Sequence, residues 1–168
     1  MLCAGTAFLL AAVPAAAGPD YPITPVGFTK VRVTGGLWAA RLETNRTATL
    51  PANFHKCEET GRIANFEKAA GLKEGKHEGI FFDDSDVYKV MEGAAYTLAL
   101  HADPELDAYM DRFIGVVAQA QEDDGYLYTA RTIDPENPAR GAGRERWADI
   151  KNAHELYCMG HMIEAAVA

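Results

Sequence analysis

The stretch DDSDVYKVMEGAAYTLALHADPELDAYMDRFIGVVAQAQEDDGYL, residues 83–127, contains the two clearest helices of the sequence. Apolar residues recur in it at intervals of three and four, the spacing of one face of an α-helix. They are Val87, Val90, Met91, Ala94 and Leu98 in the first helix and Leu106, Met110, Phe113, Val117 and Ala120 in the second. His101 and Ala102 end the first helix, and Asp103 caps the second, with Pro104 in its first turn. Two helices of about 17 residues joined by so short a turn must lie antiparallel.

More helices are predicted before this hairpin. Residues 37–63 read as one helix with a kink at Pro51 and a stop at Gly61. Residues 65–83 are of mixed character, and we expect them to be mainly loop. The pattern predicts an array of helical hairpins, each with an apolar side that needs further helices to cover it.

A last helix follows the Pro- and Gly-rich loop at 132–147 and is predicted to start near Asn152. Its apolar stripe consists of Leu156, Met159, Ile163 and Val167. The helix is still in phase where the sequence stops, and it has neither a Gly stop nor a basic last turn. This ending indicates that the chain is the N-terminal piece of a larger all-α domain.

The N-terminal region has a different character. Residues 1–18, MLCAGTAFLLAAVPAAAG, are apolar, carry no charged side chain and end in small residues, which is typical of a secretory signal peptide. The alternatives are a wrongly assigned start codon and a short apolar anchor. The signal peptide predicts a secreted or periplasmic protein without a membrane span after cleavage. Residues 19–27 are predicted to be an extended linker, and residues 28–168 the domain fragment.

A short β-strand is predicted directly after the linker. Val31 and Val33 alternate with polar residues over positions 30–34, a period of two, and Gly35 and Gly36 end the run. A single strand is not stable alone, so this one must pair with a strand elsewhere.

Charge and cysteine content exclude some classes of function. The 168 residues carry a net charge of −8 without a Lys/Arg cluster, which argues against binding to nucleic acid or to anionic membranes. A neutral polar substrate is compatible with this charge. Once Cys3 has left with the signal peptide, Cys57 and Cys158 remain, and they either form a disulfide or stay as buried thiols. We favour the thiols.

Two stretches carry residues that suit chemistry. In HEGIFFDDSDVY, residues 77–88, three aspartates stand beside aromatic side chains. Asp84 or Ser85 can cap the following helix. Carboxylates next to aromatic rings also suit sugar binding, because rings stack on sugar faces and carboxylates accept hydrogen bonds from hydroxyl groups. In QEDDGYLYT, residues 121–129, acidic residues at a helix C-terminus are read chiefly as a solvated turn.

The last helix places His154, Cys158 and His161 on one face, at i, i+4 and i+7. Two imidazoles and a thiolate suit Zn²⁺, but the three residues spread along about 10 Å of helix axis, and a single ion is rarely bound over that span. The alternatives are a buried thiol with hydrogen-bonded histidines, and a substrate-facing His154. We predict no metal site here.

Four motifs together resemble a known family. LETNRTATLPANFHKCEETGRIANF, HEGIFFDDSDVYKVMEGAAY, QEDDGYLYT and NAHELYCMGHMIEAAVA, in this order, resemble the N-terminal half of the catalytic domain of glycoside hydrolase family 127, the β-L-arabinofuranosidases. The resemblance runs from about Phe28 to Ala168. It implies an incomplete (α/α)6 barrel, with the rest of the barrel and β-sandwich elements supplied by later residues.

The resemblance also implies a retaining mechanism, in which a zinc-bound cysteine thiolate is the nucleophile and a glutamate the acid/base. These residues and the Zn²⁺ ligands of the family fall beyond Ala168, so no catalytic residue is assigned to this chain, and Cys57 and Cys158 do not replace them. His154 matches a histidine of the family's sugar pocket. Phe82, Asp84 and Asp86 belong to a motif near the same pocket and are expected to contact substrate.

Two hypotheses of function follow. The first is an N-terminal fragment, inactive by itself, of an exported glycosidase acting on arabinose-containing glycans. The second is a stand-alone helical protein that binds sugar or metal without catalysis.

Overall fold

The computed structural model describes residues 23–168 and divides the chain into two units, Met1–Arg32 and Val33–Ala168. The signal peptide predicted for residues 1–18 lies outside the described residues, as do the first residues of the predicted linker. The described part of the first unit is exposed and has one regular element, a 3₁₀ turn at Phe28–Lys30.

The strand predicted for residues 30–34 is not formed, and this prediction was wrong. Val31 donates its N–H to the Phe28 carbonyl at 3.0 Å and so closes the 3₁₀ turn, and the next three residues have no regular structure. Residues 23–168 contain no strand with which this segment could pair. Alternation alone does not stabilise a strand, because its backbone N–H and C=O groups need a neighbour.

Every regular element of the second unit is a helix, as predicted. Its helices are α1 (Gly36–Thr44), α2 (Leu50–Glu59), α3 (Arg62–Ala69), α4 (Asp84–Leu100), α5 (Pro104–Ala120), α6 (Thr129–Thr132) and α7 (Glu155–Val167). Within the described part of the chain, no helix combines the length and the apolar character that crossing a bilayer requires.

The helix predicted for residues 37–63 is present but interrupted. A π-helical turn at Asn45–Thr49 joins α1 to α2 immediately before Pro51. Proline has no N–H and its ring crowds the carbonyl four residues earlier, and the wider turn relieves that crowding. Gly61 ends α2 as predicted, in the left-handed region at φ 79°.

Helix α3 follows Gly61 directly, whereas the loop was predicted to begin within it. Phe66 of α3 is fully buried and makes edge-to-face contacts with Tyr88 of α4 and Phe113 of α5, each with 5.5 Å between ring centroids. These contacts form the centre of the core, on which α2, α3, α4 and α5 pack. Tertiary packing stabilises this short helix although its local sequence signals are weak.

The central hairpin agrees with its prediction. Asp103 Oδ1 accepts the N–H of Leu106 at 3.1 Å, so Asp103 caps α5. Helix α5 ends at Ala120, four positions before the predicted Asp124–Gly125 stop.

Helix α7 packs against α4 through a different face from the one its apolar stripe suggested. Cys158 is buried and Met162 packs against the core, whereas Leu156, Ile163 and Val167 of the stripe are exposed. The helix begins at Glu155, three residues after the predicted start.

Candidate functional site

The N-terminal ends of α4 and α7 meet at a cluster of aromatic side chains. The thiol of Cys158 donates to the carbonyl of Phe82 at 3.5 Å and joins the two segments. The ring of Phe82 stacks on that of His154, with 4.5 Å between centroids and 18° between planes. Phe81 and Tyr157 contact His154 edge-on at 5.5 Å and 5.9 Å. We call Phe81, Phe82, His154 and Tyr157 the aromatic cluster.

The aromatic cluster remains accessible, in contrast to the core. Tyr157 is exposed, and the other three members are half-buried. Aromatic rings that are fixed by their neighbours but still face solvent can stack against a ligand without further loss of side-chain entropy.

His154 is held in one orientation and one tautomer. Its backbone lies in the left-handed region at φ 60°, which non-glycine residues adopt uncommonly. Its Nδ1 lies 2.6 Å from the carbonyl oxygen of Asn152. A carbonyl oxygen can only accept, so Nδ1 carries the hydrogen, and in the neutral ring Nε2 is left as an acceptor. A hydroxyl group is a suitable donor to that nitrogen.

Lys89 of α4 adds a positive charge beside the aromatic cluster. Its Nζ donates to the hydroxyl of Tyr157 at 2.5 Å and lies 4.8 Å from the centre of the same ring. Because Lys89 is the donor in this bond, the phenolic hydrogen of Tyr157 can point elsewhere and donate to a ligand.

The three aspartates before and within the first turn of α4 point to three different elements. Asp84, only 1% exposed, accepts from the N–H and the hydroxyl of Thr129 at 2.8 and 2.5 Å. Asp86 pairs with Arg62 of α3 at 2.8 Å. Asp83 Oδ1 lies 3.4 Å from Nε2 of His77, and both side chains are buried.

These contacts tie the start of α4 to its surroundings. Burial raises the pKa of Asp84 to about 6, against the lowering effect of its bonds to Thr129. The predicted cap by Asp84 or Ser85 is absent, because Asp84 reaches Thr129 and the Ser85 hydroxyl donates to the Phe82 carbonyl at 3.0 Å. The structure thus brings Phe82 and His154 together, while Asp84 and Asp86 face protein partners.

The face with His154, Cys158 and His161 has other partners than a metal. His161 Nδ1 lies 2.9 Å from a Glu164 carboxylate oxygen, and the Cys158 thiol is buried against Phe82. Among residues 23–168, no three or more His, Cys, Asp and Glu side chains are grouped so that they could hold a metal ion.

Cys57 and Cys158, the two cysteines of residues 23–168, are free, buried thiols, as predicted. Burial raises the pKa of Cys57 to about 11 and raises that of Cys158 further. A thiol that stays protonated is neither a good nucleophile nor a good metal ligand.

The sequence reasoning missed Glu155, the residue after His154. Its buried carboxylate, 2% exposed, accepts from the hydroxyl of Tyr126 at 2.6 Å and from the backbone N–H of Trp147 at 2.9 Å. Burial and the bond to Glu155 raise the pKa of Tyr126. The available signal was a charged residue, Glu155, next to an apolar helical face. Its partners lie 29 and 8 positions away, so no local pattern identifies them.

Comparison with known proteins gives a consistent result. The family model of the β-L-arabinofuranosidase catalytic domain of glycoside hydrolase family 127 matches residues 30–168. A non-reducing end β-L-arabinofuranosidase from Bifidobacterium longum subsp. longum is 49% identical over 106 residues, which is 63% of this chain and 16% of that protein.

Two solved structures share the fold. A family 127 β-arabinofuranosidase matches with a TM-score of 0.82 and 53% identity, over 88% of this chain and 24% of the other. A family 127 β-L-arabinofuranosidase from Geobacillus stearothermophilus T6 matches with a TM-score of 0.74 and 35% identity, over 81% and 21%. The chain therefore spans about a quarter or less of the length of these relatives, and its helices agree with an incomplete (α/α)6 barrel.

Proposed function

This chain belongs to glycoside hydrolase family 127, and on that premise we propose that it is the N-terminal part of the catalytic domain of an enzyme that removes β-L-arabinofuranosyl groups from glycans. The substrate class is that of its relatives, which are β-L-arabinofuranosidases. The observation in the chain itself that supports the proposal is the stacked pair of Phe82 and His154 at the joined starts of α4 and α7.

The chemistry of this pair suits a sugar. A furanose has apolar C–H edges and hydroxyl groups that both donate and accept. The rings of the aromatic cluster can cover the C–H edges, and Nε2 of His154 can accept a hydrogen bond from one hydroxyl group. Lys89 and the hydroxyl of Tyr157 provide donors at the edge of the cluster.

Asp84 and Asp86 have a supporting part in this proposal. Asp84 is enclosed by its own protein partner, and Asp86, whose side chain is 44% exposed, is held by Arg62. We propose that Phe82 and His154 contact the sugar directly, and that the two carboxylates hold the first turn of α4 in the position that presents Phe82. A contact between Asp86 and a sugar hydroxyl remains a prediction of the family resemblance.

The catalytic groups of the proposed enzyme come from other parts of the protein. Residues 23–168 offer no grouping of His, Cys, Asp and Glu suited to a metal, and burial raises the pKa of both of their thiols. From the family resemblance we propose that a zinc-bound thiolate and an acid/base glutamate lie in the remainder of its catalytic domain. From the signal peptide expected at residues 1–18 we propose that the enzyme acts in the periplasm or outside the cell.

The test is hydrolysis by the full-length protein. We expect release of arabinose from 4-nitrophenyl β-L-arabinofuranoside, loss of activity on chelation of zinc, and recovery when zinc is returned. The α-L-arabinofuranoside is the matched control for linkage. A full-length protein that is folded and loaded with zinc but does not hydrolyse the β-anomer would contradict the proposal.

A further inference from the structure

Trp147 is an exposed aromatic residue in a strained backbone conformation. It lies in the loop between α6 and α7 at φ 62°, in the left-handed region. For a bulky residue this conformation is a genuine outlier, and it persists only where the surroundings determine it. Despite this cost, 37% of the residue stays in contact with solvent.

Two contacts hold Trp147 in place. Its backbone N–H donates to the carboxylate of Glu155 at 2.9 Å, and its ring packs edge-on against Tyr126 with 5.3 Å between centroids. Tyr126 is itself fixed, because its hydroxyl donates to the other oxygen of Glu155 at 2.6 Å. The guanidinium of Arg146 covers the Tyr126 ring at 4.0 Å. The backbone and the ring of Trp147 are thus positioned by one buried carboxylate.

The same carboxylate relates Trp147 to the proposed sugar site. Glu155 is the first residue of α7 and directly follows His154. Both non-glycine residues with a left-handed backbone among residues 23–168, Trp147 and His154, therefore lie at the N-terminal end of this helix. The aromatic cluster contacts this end of the helix through His154, and the backbone of Trp147 is bonded to it through Glu155.

We propose that Trp147 is the stacking platform of a second sugar subsite, which binds the glycan unit next to the arabinofuranosyl group held at His154. This inference rests on the proposed function. An indole ring offers a large flat apolar surface to the C–H face of a sugar, at low entropic cost because it is already fixed. Its ring N–H can donate to a hydroxyl at the edge of the sugar.

The local charges favour a neutral ligand. Arg146, the cation beside this platform, is paired with the carboxylates of Asp124, at 2.6 Å, and of Glu122. With its charge matched in this way, Arg146 does not select an anionic group. The subsite is therefore suited to an uncharged pentose or hexose unit.

The experiment compares two substrates of the full-length protein. Methyl β-L-arabinofuranoside occupies only the first subsite, and a β-L-arabinofuranosyl disaccharide occupies both. We expect Trp147→Ala to lower kcat/KM for the disaccharide about tenfold, chiefly through KM, and to leave that for the methyl glycoside within about twofold. Trp147→Phe, which keeps a ring, should retain most of the activity on the disaccharide.

The controls separate this inference from the proposed function. Trp38→Ala removes the other tryptophan of the chain, an exposed residue of α1, and should leave kcat/KM unchanged for both substrates. Equal losses on both substrates in Trp147→Ala and Trp147→Phe would show a structural role and overturn the subsite. If the wild-type protein hydrolyses neither substrate, the proposed function fails.

A binding measurement then still tests the subsite. The fluorescence of Trp147 is obtained as the difference between the wild-type protein and Trp147→Phe. A saturable change on titration with the disaccharide would support the platform, and no change would overturn it. The measurement does not depend on hydrolysis or on Trp147→Ala folding.

Discussion

His154 combines two features that make it the centre of the proposed sugar site. Its imidazole is stacked on Phe82 and its Nδ1 is engaged by the carbonyl of Asn152, so Nε2 has a defined direction. Its backbone is left-handed, so a replacement must tolerate positive φ. Asparagine does so better than most residues, which allows the ring to be removed with little additional backbone strain.

We expect His154→Asn to lower kcat/KM of the full-length enzyme by one to two powers of ten, the effect of losing a hydrogen bond worth about 1–3 kcal/mol in a desolvated pocket. Steady-state kinetics on an arabinofuranoside measure this effect, and folding and zinc content should be unchanged.

Cys158→Ala is the matched variant one turn along the same helix. It removes a buried sulfur and should reduce stability by about 1 kcal/mol with little change in turnover. Release of zinc from either variant would show that the face with His154, Cys158 and His161 binds metal after all.

Asp84 makes stability depend on pH in a defined direction. Burial raises its pKa from 3.8 to about 6, so between these values the folded protein binds more protons at this site than the unfolded chain does. The contribution of Asp84 to the free energy of unfolding is therefore greatest below pH about 4. It is lost as pH rises through about 6, a change of about 3 kcal/mol.

Asp84→Asn should remove this dependence. The side-chain oxygen of Asn can accept the N–H of Thr129, and its NH₂ can donate to the Thr129 hydroxyl, so both bonds can be kept without a buried charge. Thermal unfolding of full-length wild type and variant at pH 4 and pH 7 measures the difference, with the exposed Asp123→Asn as control. If Asp84→Asn and the wild type lost the same stability between pH 4 and pH 7, the raised pKa of Asp84 would be contradicted.

At the scale of elements, the loop before α4 depends on a glycine. Gly79 has φ +90°, and a Cβ atom at this position would overlap Oδ2 of the buried Asp83. Asp83 cannot easily withdraw, because it is enclosed beside His77. The close approach of backbone and carboxylate thus requires a residue without a side chain.

We predict that Gly79→Ala destabilises the protein by about 2 kcal/mol or more, from steric overlap and backbone strain together. Gly115→Ala is the control, since a Cβ there meets no atom within 4 Å and the position lies inside α5. Alanine at Gly115 should raise stability by about 0.5–1 kcal/mol. Denaturant unfolding measures the free energy of unfolding of both variants. A change of the same sign and size in the two would contradict this prediction.

At the scale of the whole molecule, the described helices leave apolar side chains uncovered. Leu156, Ile163 and Val167 line the exposed side of α7, and Val167 is 82% exposed. In an (α/α)6 barrel, further helices pack against such faces. The chain spans only a fraction of the length of its relatives, and we expect the helices that cover α7 to come from other parts of the proposed enzyme.

The 168-residue chain by itself should therefore associate and should not hydrolyse arabinofuranosides. Exposed apolar surface favours self-association, and residues 23–168 contain no group of His, Cys, Asp and Glu side chains that could hold a metal ion. Light scattering after gel filtration and an assay with added zinc test the two statements, with the full-length protein as control. A monodisperse monomer with a sharp thermal transition would instead favour the stand-alone binding protein.

The hairpin of α4 and α5 was determined by the sequence alone. Its signals are local: apolar residues at helical spacing, the cap at Asp103, and Pro104 in the first turn of α5. Local signals act within a few residues, so they operate in any surroundings. The all-α class and the family resemblance were equally accessible, since they depend on patterns along the chain.

Only the tertiary structure decided where the carboxylates point and which face of α7 is buried. Asp86 and Arg62 are separated by 24 positions and Asp84 and Thr129 by 45, so no local pattern relates them. Helix α3 is stabilised by the burial of Phe66 against α4 and α5. The segment at 30–34 forms no strand because residues 23–168 contain no strand with which it could pair. The free energy of these features comes from partners that are distant in sequence, and folding alone brings those partners together or leaves them apart.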